Sequence, residues 1–320
     1  MLVKDLPRST AFRLKAVQPY DFSLTVHKPA GWSLLTPFEI FENGTLWTVM
    51  AHHGKMFGLK LRSVGTVKKP EIFCEVFSRE KLGAEERNQL SNTVTWMLRL
   101  NEDIRGFYAL AESDSIVRML VKDLYGMRRT DRPDIFPSLM LAVTLQMAPI
   151  KRSDQMMNLL IKNYGVKAGF DGREILYWPP PERIARAEIR ELEERCRLGY
   201  RAENLKGIAE AIRKGFPTLQ ELEEMPPETA RAKLMELRGI GDYSADVVSP
   251  HPGFALDVWS AKIFNVLLFG EKAASPRSII PKLKKIAEER WGRWRGYVFT
   301  YVLNDLNNLS QRFNSDFTDL

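Results

Sequence analysis

The segment Leu237–Asp246 constrains this chain most, because it places two glycines around one apolar residue in the order Gly239-Ile240-Gly241. Glycine adopts backbone conformations that other residues avoid, so this spacing predicts a very tight hairpin between two helices. Amides of such a hairpin point outward beside the start of the second helix, where unpaired N–H groups and the helix dipole bind phosphate. We expect Ile240 to turn inward and pin the hairpin. The alternative is an ordinary helix-turn-helix corner, with Gly239 ending one helix and Asp242 capping the next.

A carboxylate follows the hairpin after a short loop. Asp257 precedes Val258 and stands where the chain is expected to enter a third helix. A carboxylate beside a sugar can stabilise the positive charge that grows as a glycosidic bond breaks, and it can orient the attacking water. Asp257 also suits a plain helix N-cap, and the two roles are compatible. Asp246 is the rival acid, but its place within the second hairpin helix predicts that it faces solvent or pairs with a base.

Composition narrows the class of protein. The 320 residues carry a net charge of +7, which favours a polyanionic partner without requiring one. The two cysteines, Cys74 and Cys196, are isolated, so we expect a reducing, intracellular setting such as the cytoplasm, nucleoid or nucleus. The four histidines form no ligand pattern, so no metal site is expected. No apolar run approaches the length of a membrane helix.

Hydrophobic periodicity divides the chain near residue 130. Residues 1 to about 80 favour strands, since segments such as 12–17, 45–50 and 71–77 alternate with a period of two. One or two helices follow, and the segment 130–134 is a predicted boundary. Beyond it the pattern predicts only helices. We therefore expect an α+β protein, with an antiparallel sheet and helices in residues 1–130 and an all-α domain in residues 131–320.

Several segments together resemble the helix-hairpin-helix DNA glycosylase superfamily, in particular its 3-methyladenine DNA glycosylase II (AlkA-like) type. The resemblance covers nearly the whole chain. Besides the hairpin and Asp257, it rests on the segments Gln18–Ser23, Leu141–Gln146, Gly199–Ala202 and Trp291–Tyr297. It implies a TBP-like N-terminal sheet domain followed by a helical glycosylase domain of two lobes with the active cleft between them.

The resemblance also implies a reaction. It makes Asp257 the catalytic aspartate, and it places Tyr243 where bifunctional members carry a lysine. Schiff-base chemistry is therefore not expected. Neither cysteine lies near the C-terminus, where iron–sulfur members hold their cluster.

By the same resemblance, three groups of residues are expected to contact DNA. Met147, with Gln146, is the expected wedge that fills the gap left by a flipped base; a core methionine, and a glutamine bonded to a backbone group, are the alternatives. The base pocket is expected to include Tyr243, Trp259 and Trp178, although packing roles stay open for both tryptophans. The position of a pocket tryptophan in the last helix is taken here by Leu303. The predicted contacts with the DNA backbone are Leu237, Gly239, Ile240, Gly241 and Ser244.

The combined expectation is a monofunctional DNA glycosylase that flips out and hydrolyses an alkylated or deaminated purine. It would act on double-stranded DNA as a monomer, with no required cofactor and with a monovalent cation as an optional ligand of the hairpin. Two alternatives stay open. One is an 8-oxoguanine DNA glycosylase/AP lyase, and the other is a non-catalytic helix-hairpin-helix protein that only binds DNA.

Overall fold

In the computed structural model, which describes residues 2–30, 38–251, 253–271, 275–314 and 317, the N-terminal region forms a five-stranded antiparallel sheet. The strand order is β2-β6-β5-β4-β3. Along β6 the side chains of Ile72, Cys74 and Val76 are buried, as the period of two predicts, and they pack against Leu90 and Val94 of the helix α2. The strands are β2 Arg8–Lys15, β3 Ile40–Glu42, β4 Thr45–His52, β5 Lys55–Ser63 and β6 Glu71–Ser78; the helices of this region are α1 Phe22–Val26 and α2 Ala84–Met97.

A second sheet lies inside the region that the sequence predicts to be wholly helical, so that prediction is wrong. Strands β7 (Val166–Phe170) and β8 (Arg173–Tyr177) form a hairpin, and β1 (Leu2–Asp5) pairs in parallel with β7. The turn residues Asp171 and Gly172 both have positive φ, 49° and 70°, and Asp-Gly is a typical hairpin turn. The two sheets meet where Gly58 packs beneath the ring of Phe170.

The remaining helices pack around two separate hydrophobic cores. We call α5–α12 lobe one, and α3, α4 and α13–α16 lobe two. The helices of lobe one are α5 Ile135–Leu145, α6 Ile150–Tyr164, α7 Pro181–Arg186, α8 Ile189–Cys196, α9 Arg201–Arg213, α10 Leu219–Glu224, α11 Pro227–Met235 and α12 Asp242–Val248. Those of lobe two are α3 Arg105–Ser113, α4 Ser115–Asp123, α13 Val258–Phe269, α14 Pro276–Trp291, α15 Arg295–Asn304 and α16 Leu306–Phe313.

The cores do not follow the predicted division at residue 130. Helices α3 and α4 come before that point, yet Phe107 and Leu120 are buried in the same core as Phe264 of α13. The domain boundary at 130/131 stays a prediction about the chain, and the packing follows the two lobes instead. In the described residues, no helix is both long and apolar enough to cross a membrane.

Two aspartates of lobe two share one arginine. Arg312 lies 2.5 Å from the carboxylate of Asp123 and 3.8 Å from that of Asp305, whose side chain is fully buried. Burial, and then the neighbouring negative charge of Asp123, raise the pKa of Asp305 to about 7. A carboxyl whose pKa is raised in the folded state holds its proton longer there than in the unfolded chain. Its ionisation therefore costs stability as the pH rises from about 4 to about 7.

We expect Asp305→Asn to stabilise the protein at neutral pH, because the amide keeps the shape of the carboxyl and cannot ionise. The gain in Tm over the unsubstituted protein should be small near pH 4.5, should grow up to about pH 7 and should then level off. Thermal unfolding at a series of pH values, followed by circular dichroism, measures it. A difference in Tm that is the same at every pH would contradict the assigned ionisation.

Candidate active site

The glycine hairpin connects α11 to α12 in lobe one. Gly239 has φ +82°, and the amide of Ile240 donates to the carbonyl of Leu237 at 3.0 Å. The side chain of Ile240 is 4% exposed and packs in the core of lobe one, so it pins the hairpin as expected. A Cβ on Gly239 would lie 2.4 Å from the side-chain amide of Asn204, whereas a Cβ on Gly241 would meet open space. The face at Gly241 is thus the one that a phosphate can approach.

Two other predicted contacts of the DNA backbone are buried. The side chain of Leu237 is 5% exposed and that of Ser244 is 3% exposed. The hydroxyl of Ser244 accepts a hydrogen bond from the side-chain amide of Gln146 at 3.1 Å. Both residues therefore support the hairpin from inside, and their role as contacts of the DNA backbone stays a prediction.

Gln146 ties the α5–α6 loop to the hairpin. Its side-chain amide donates to the carbonyl of Gly239 at 2.6 Å as well as to Ser244, and its own carbonyl accepts from Arg201. The alternative of a glutamine bonded to a backbone group is what the structure shows. The side chain of Gln146 is half-buried and holds the hairpin from beside Met147, and its place in the wedge stays a prediction.

Met147 comes directly after Gln146 in the chain. It is the most exposed large apolar residue among those described, at 82%. Its backbone has φ +47°, a left-handed conformation that residues other than glycine rarely adopt. The alternative of a core methionine is excluded.

Tyr200 is a second exposed apolar side chain near this loop, and sequence reasoning missed it. It is 58% exposed, and the guanidinium of Arg201 lies 4.6 Å from the centre of its ring while also bonding the carbonyl of Gln146. The sequence contained one signal for Tyr200, since it is an aromatic residue directly after Gly199, at the start of α9.

Asp257 is the N-cap of α13 in lobe two. Its Oδ1 accepts from the amide of Ser260 at 2.7 Å and from its hydroxyl at 2.6 Å, while its own amide donates to that hydroxyl at 2.9 Å. In the described part of the chain, both bonds to the carboxylate use Oδ1, which leaves Oδ2 for a sugar or a water. The side chain is half-buried. The capping role is thus present, and it fixes the carboxylate in one orientation.

Tyr243, on the hairpin helix of lobe one, lies close enough to Asp257 for the charge of the acid to act on its phenol. Burial, and then the negative charge of Asp257, raise the pKa of the Tyr243 phenol well above its usual range. The phenol therefore stays neutral at every physiological pH. The hairpin helix and the acid belong to different lobes.

A hairpin open at Gly241 starts α12 in lobe one, and a capped carboxylate starts the next helix, α13, in lobe two. No family model matches the chain. The 3-methyladenine DNA glycosylase of Archaeoglobus fulgidus superposes with a TM-score of 0.74 over 95% of this chain and 99% of that one, at 21% identity. The chain has the fold of the helix-hairpin-helix DNA glycosylases. The Clostridium acetobutylicum 8-oxoguanine glycosylase/lyase shares it, with a TM-score of 0.68, 18% identity, and coverage of 92% of this chain and 95% of that one.

Two curated relatives match in sequence. The DNA-3-methyladenine glycosylase of Bacillus subtilis is 26% identical over 163 residues, which are 51% of this chain and about half, 54%, of that protein. The probable N-glycosylase/DNA lyase of Methanothermobacter thermautotrophicus is 20% identical over 307 residues, which are 89% of this chain and 93% of that protein. The superfamily that the sequence resembles is therefore supported by fold and by sequence.

The rival acid of this glycosylase fold is engaged in ion pairs. Asp246 lies 3.2 Å from Arg231 and 2.9 Å from Lys284, and its side chain is 12% exposed. The prediction that it pairs with a base is confirmed. In the described residues, no three His, Cys, Asp or Glu side chains are grouped so as to hold a metal ion.

The three residues predicted for the base pocket differ in their burial. Trp178 is 4% exposed and lies in the core of lobe one beneath the guanidinium of Arg132, which is its packing alternative, and its pocket role stays a prediction. Trp259 is half-buried against the core of lobe two, which supports its packing alternative as well. Leu303 is buried in the same core. Tyr243 is half-buried, and its place in the pocket stays a prediction.

The two hairpin glycines should respond differently to the same change. In Gly239→Ala the new methyl group meets Asn204 and the positive φ is strained, so we expect a loss of more than about 1 kcal/mol of stability. In Gly241→Ala the methyl group points into open space, so the fold should survive while affinity for duplex DNA falls. Denaturant unfolding and fluorescence anisotropy with a labelled duplex measure the two effects. Equal affinity of Gly241→Ala and the unsubstituted protein would show that DNA does not approach this face.

Proposed function

We propose that the protein is a DNA N-glycosylase of base excision repair. The observation that carries the proposal is that the open glycine hairpin at the start of α12 in lobe one and the capped carboxylate of Asp257 at the start of α13 in lobe two belong to consecutive helices joined by one short loop. A hairpin that grips a phosphate and an acid that faces it from the other lobe can together hold a nucleotide by its backbone while its sugar lies beside a carboxylate.

Base removal proceeds by breaking the bond between C1′ and the base nitrogen. The electron pair of that bond leaves with the base, positive charge grows on the sugar, and the Oδ2 of Asp257 stabilises it. Water then adds to C1′ and gives up a proton, which Asp257 can accept. The hydrogen bonds from Ser260 hold the carboxylate in place throughout, so its orientation does not have to be found during the reaction.

The proposed enzyme is monofunctional. A glycosylase/lyase attacks C1′ with an amine, and the corresponding position holds the neutral phenol of Tyr243. Lys262 is the nearest lysine in sequence to Asp257 on α13, and its side chain already has an interaction within the protein. Hydrolysis by water is therefore the proposed route.

The target base has to leave the helix stack before it can be cut. We propose that Met147 fills the gap it leaves, with Tyr200 next to it, since both are exposed apolar side chains held around Arg201. The ring of Tyr243 is the proposed wall for the flipped base. An uncharged aromatic wall beside a carboxylate suits electron-poor bases, so we propose alkylated purines such as 3-methyladenine, and deaminated purines, as substrates.

The proposal involves double-stranded DNA as partner, in an intracellular compartment, and one copy of the chain. It requires no cofactor, since the acid and a water supply the chemistry. A monovalent cation at the hairpin stays part of the proposal: the carbonyls of Leu237 and Gly239 each accept one hydrogen bond, and each keeps a second lone pair.

A gel assay on methylated, hypoxanthine-containing and 8-oxoguanine-containing duplexes tests the function. We expect strand breaks only after alkaline heating, because base removal alone leaves an intact abasic strand. Asp257→Asn should lower the excision rate by on the order of 10²-fold or more while the helix stays capped, since the amide oxygen still accepts from Ser260. Asp242→Asn, an exposed acid of the same region, is the control.

Other outcomes decide between the alternatives. Breaks on 8-oxoguanine duplexes without alkali would favour a glycosylase/lyase, the name that the Methanothermobacter relative carries. Binding to all duplexes with no excision, and an Asp257→Asn variant that binds equally well, would favour a DNA-binding protein without catalysis.

Met147→Ala should slow excision without lowering stability. The side chain is 82% exposed, so its truncation removes little packing from the folded state, but a flipped base would no longer be replaced in the stack. A duplex with 2-aminopurine beside the lesion reports flipping by its fluorescence, and thermal unfolding reports stability. A flipping signal equal to that of the unsubstituted protein would remove Met147 from the proposed wedge.

A further inference from the structure

The carboxylate of Asp246 joins the two lobes beside the cleft. It lies on the hairpin helix α12, three residues after Tyr243. One oxygen is 3.2 Å from Arg231 of α11, in the same lobe, and the other is 2.9 Å from Lys284 of α14, in lobe two. Its side chain is 12% exposed, so solvent screens these pairs less than it would at the surface.

Lys284, the partner of Asp246 in lobe two, lies on a helix that packs into the core of that lobe. Lys284 follows Leu283, which is completely buried in the core of lobe two, and α14 packs along α13. Asp257 caps the start of α13. A link from Asp246 to α14 is therefore a link, through one packed helix pair, to the element that carries the acid.

The loop that joins α12 to α13 also packs against Asp246. A Cβ on Gly253 would lie 3.1 Å from the carbonyl oxygen of Asp246 and 3.2 Å from its Cβ, so the backbone of the loop packs closely against this residue. This loop runs from the end of α12 to Asp257. Asp246 thus contacts the hairpin side, the helix behind the acid and the loop that joins them.

We propose that Asp246 is a positioning residue, which locks α12 to α14 and thereby fixes the distance between the phosphate-binding hairpin and Asp257. The inference rests on the proposed function. The hairpin holds the DNA backbone, whereas Asp257 has to meet C1′ of one flipped nucleotide. An error of about 1 Å in such an arrangement can cost on the order of 10²-fold in rate. Phosphate binding needs lobe one alone. Weakening the link between α12 and α14 should therefore lower the rate of base excision and leave the affinity for DNA unchanged.

The chain offers a matched set of variants. Asp246→Asn removes the charge and keeps the shape, and Arg231 retains its pair with Asp242 at 2.6 Å. Lys284→Met breaks the link from the other lobe, and because the lysine side chain is 37% exposed we expect the fold to tolerate the change. Lys284→Arg keeps the ion pair. Asp242→Asn is the control, because it breaks the other ion pair of Arg231 but is 74% exposed and does not reach lobe two.

Three measurements separate positioning from general stability. They are the single-turnover excision rate on the lesion duplex, the Kd for a duplex with a tetrahydrofuran abasic analogue, and hydrogen exchange of residues 249–257. We expect Asp246→Asn and Lys284→Met to slow excision by about tenfold or more with little change in Kd and faster exchange in this loop. Lys284→Arg and Asp242→Asn should keep the wild-type rate.

Several results would overturn the proposal. They are an unchanged rate in Asp246→Asn, a loss of rate in Asp242→Asn as large as in Asp246→Asn, or a loss of rate fully explained by Kd. If the unsubstituted protein excises no base at all, the proposed function fails by itself. Hydrogen exchange then still tests whether Asp246 links α12 to α14. Unchanged exchange in residues 249–257 of Asp246→Asn would show that no such link holds the loop.

Discussion

The chain leaves one hydrophobic core at Val248 and joins the other at Phe254, so a short loop carries it across the cleft. The candidate site depends on this crossing. The hairpin with Tyr243 belongs to the first core and Asp257 to the second, and neither lobe holds both groups. Contacts that span the crossing, such as Asp246 with Lys284 and Arg129 with the carbonyl of Pro250, therefore act directly on the geometry of the site.

Capping and proposed catalysis use different parts of the same carboxylate. The Oδ1 of Asp257 is held by Ser260, and this bond both satisfies an N–H group at the start of α13 and prevents rotation of the carboxyl. A helix start is also where the helix dipole favours a negative charge. The hydrogen bonds that stabilise the start of α13 thus also orient the carboxylate of Asp257. A role of Asp257 in stability is therefore compatible with a role in the chemistry.

Local sequence signals predicted the local features well. The hairpin is formed by two glycines around Ile240, and the helix cap by an aspartate three residues before Ser260. In both cases the residues that set the geometry lie within a few positions of one another. The β7–β8 hairpin also had a local signal, the pair Asp171-Gly172, but a helical reading of the surrounding region overrode it.

Features that depend on distant residues could not be found in the same way. Gln146 bonds a carbonyl 93 residues away, and Asp246 pairs with a lysine 38 residues away. A single sequence contains no rule that brings such positions together. The burial of Trp178 could not be predicted for the same reason, since only the packing of lobe one around it shows that the ring is enclosed.

The left-handed backbone of Met147 has a consequence for the speed of DNA recognition. A loop that had to bend into this conformation on meeting DNA would lose conformational freedom at that moment, and the loss would weaken binding. Here Arg201 and the amide of Gln146 hold the bend in the free protein, so that entropy is already lost when the chain folds. With Met147 as the proposed wedge, the protein would meet each base pair with this side chain already exposed. A search along a duplex would then require no rearrangement of this loop at each step.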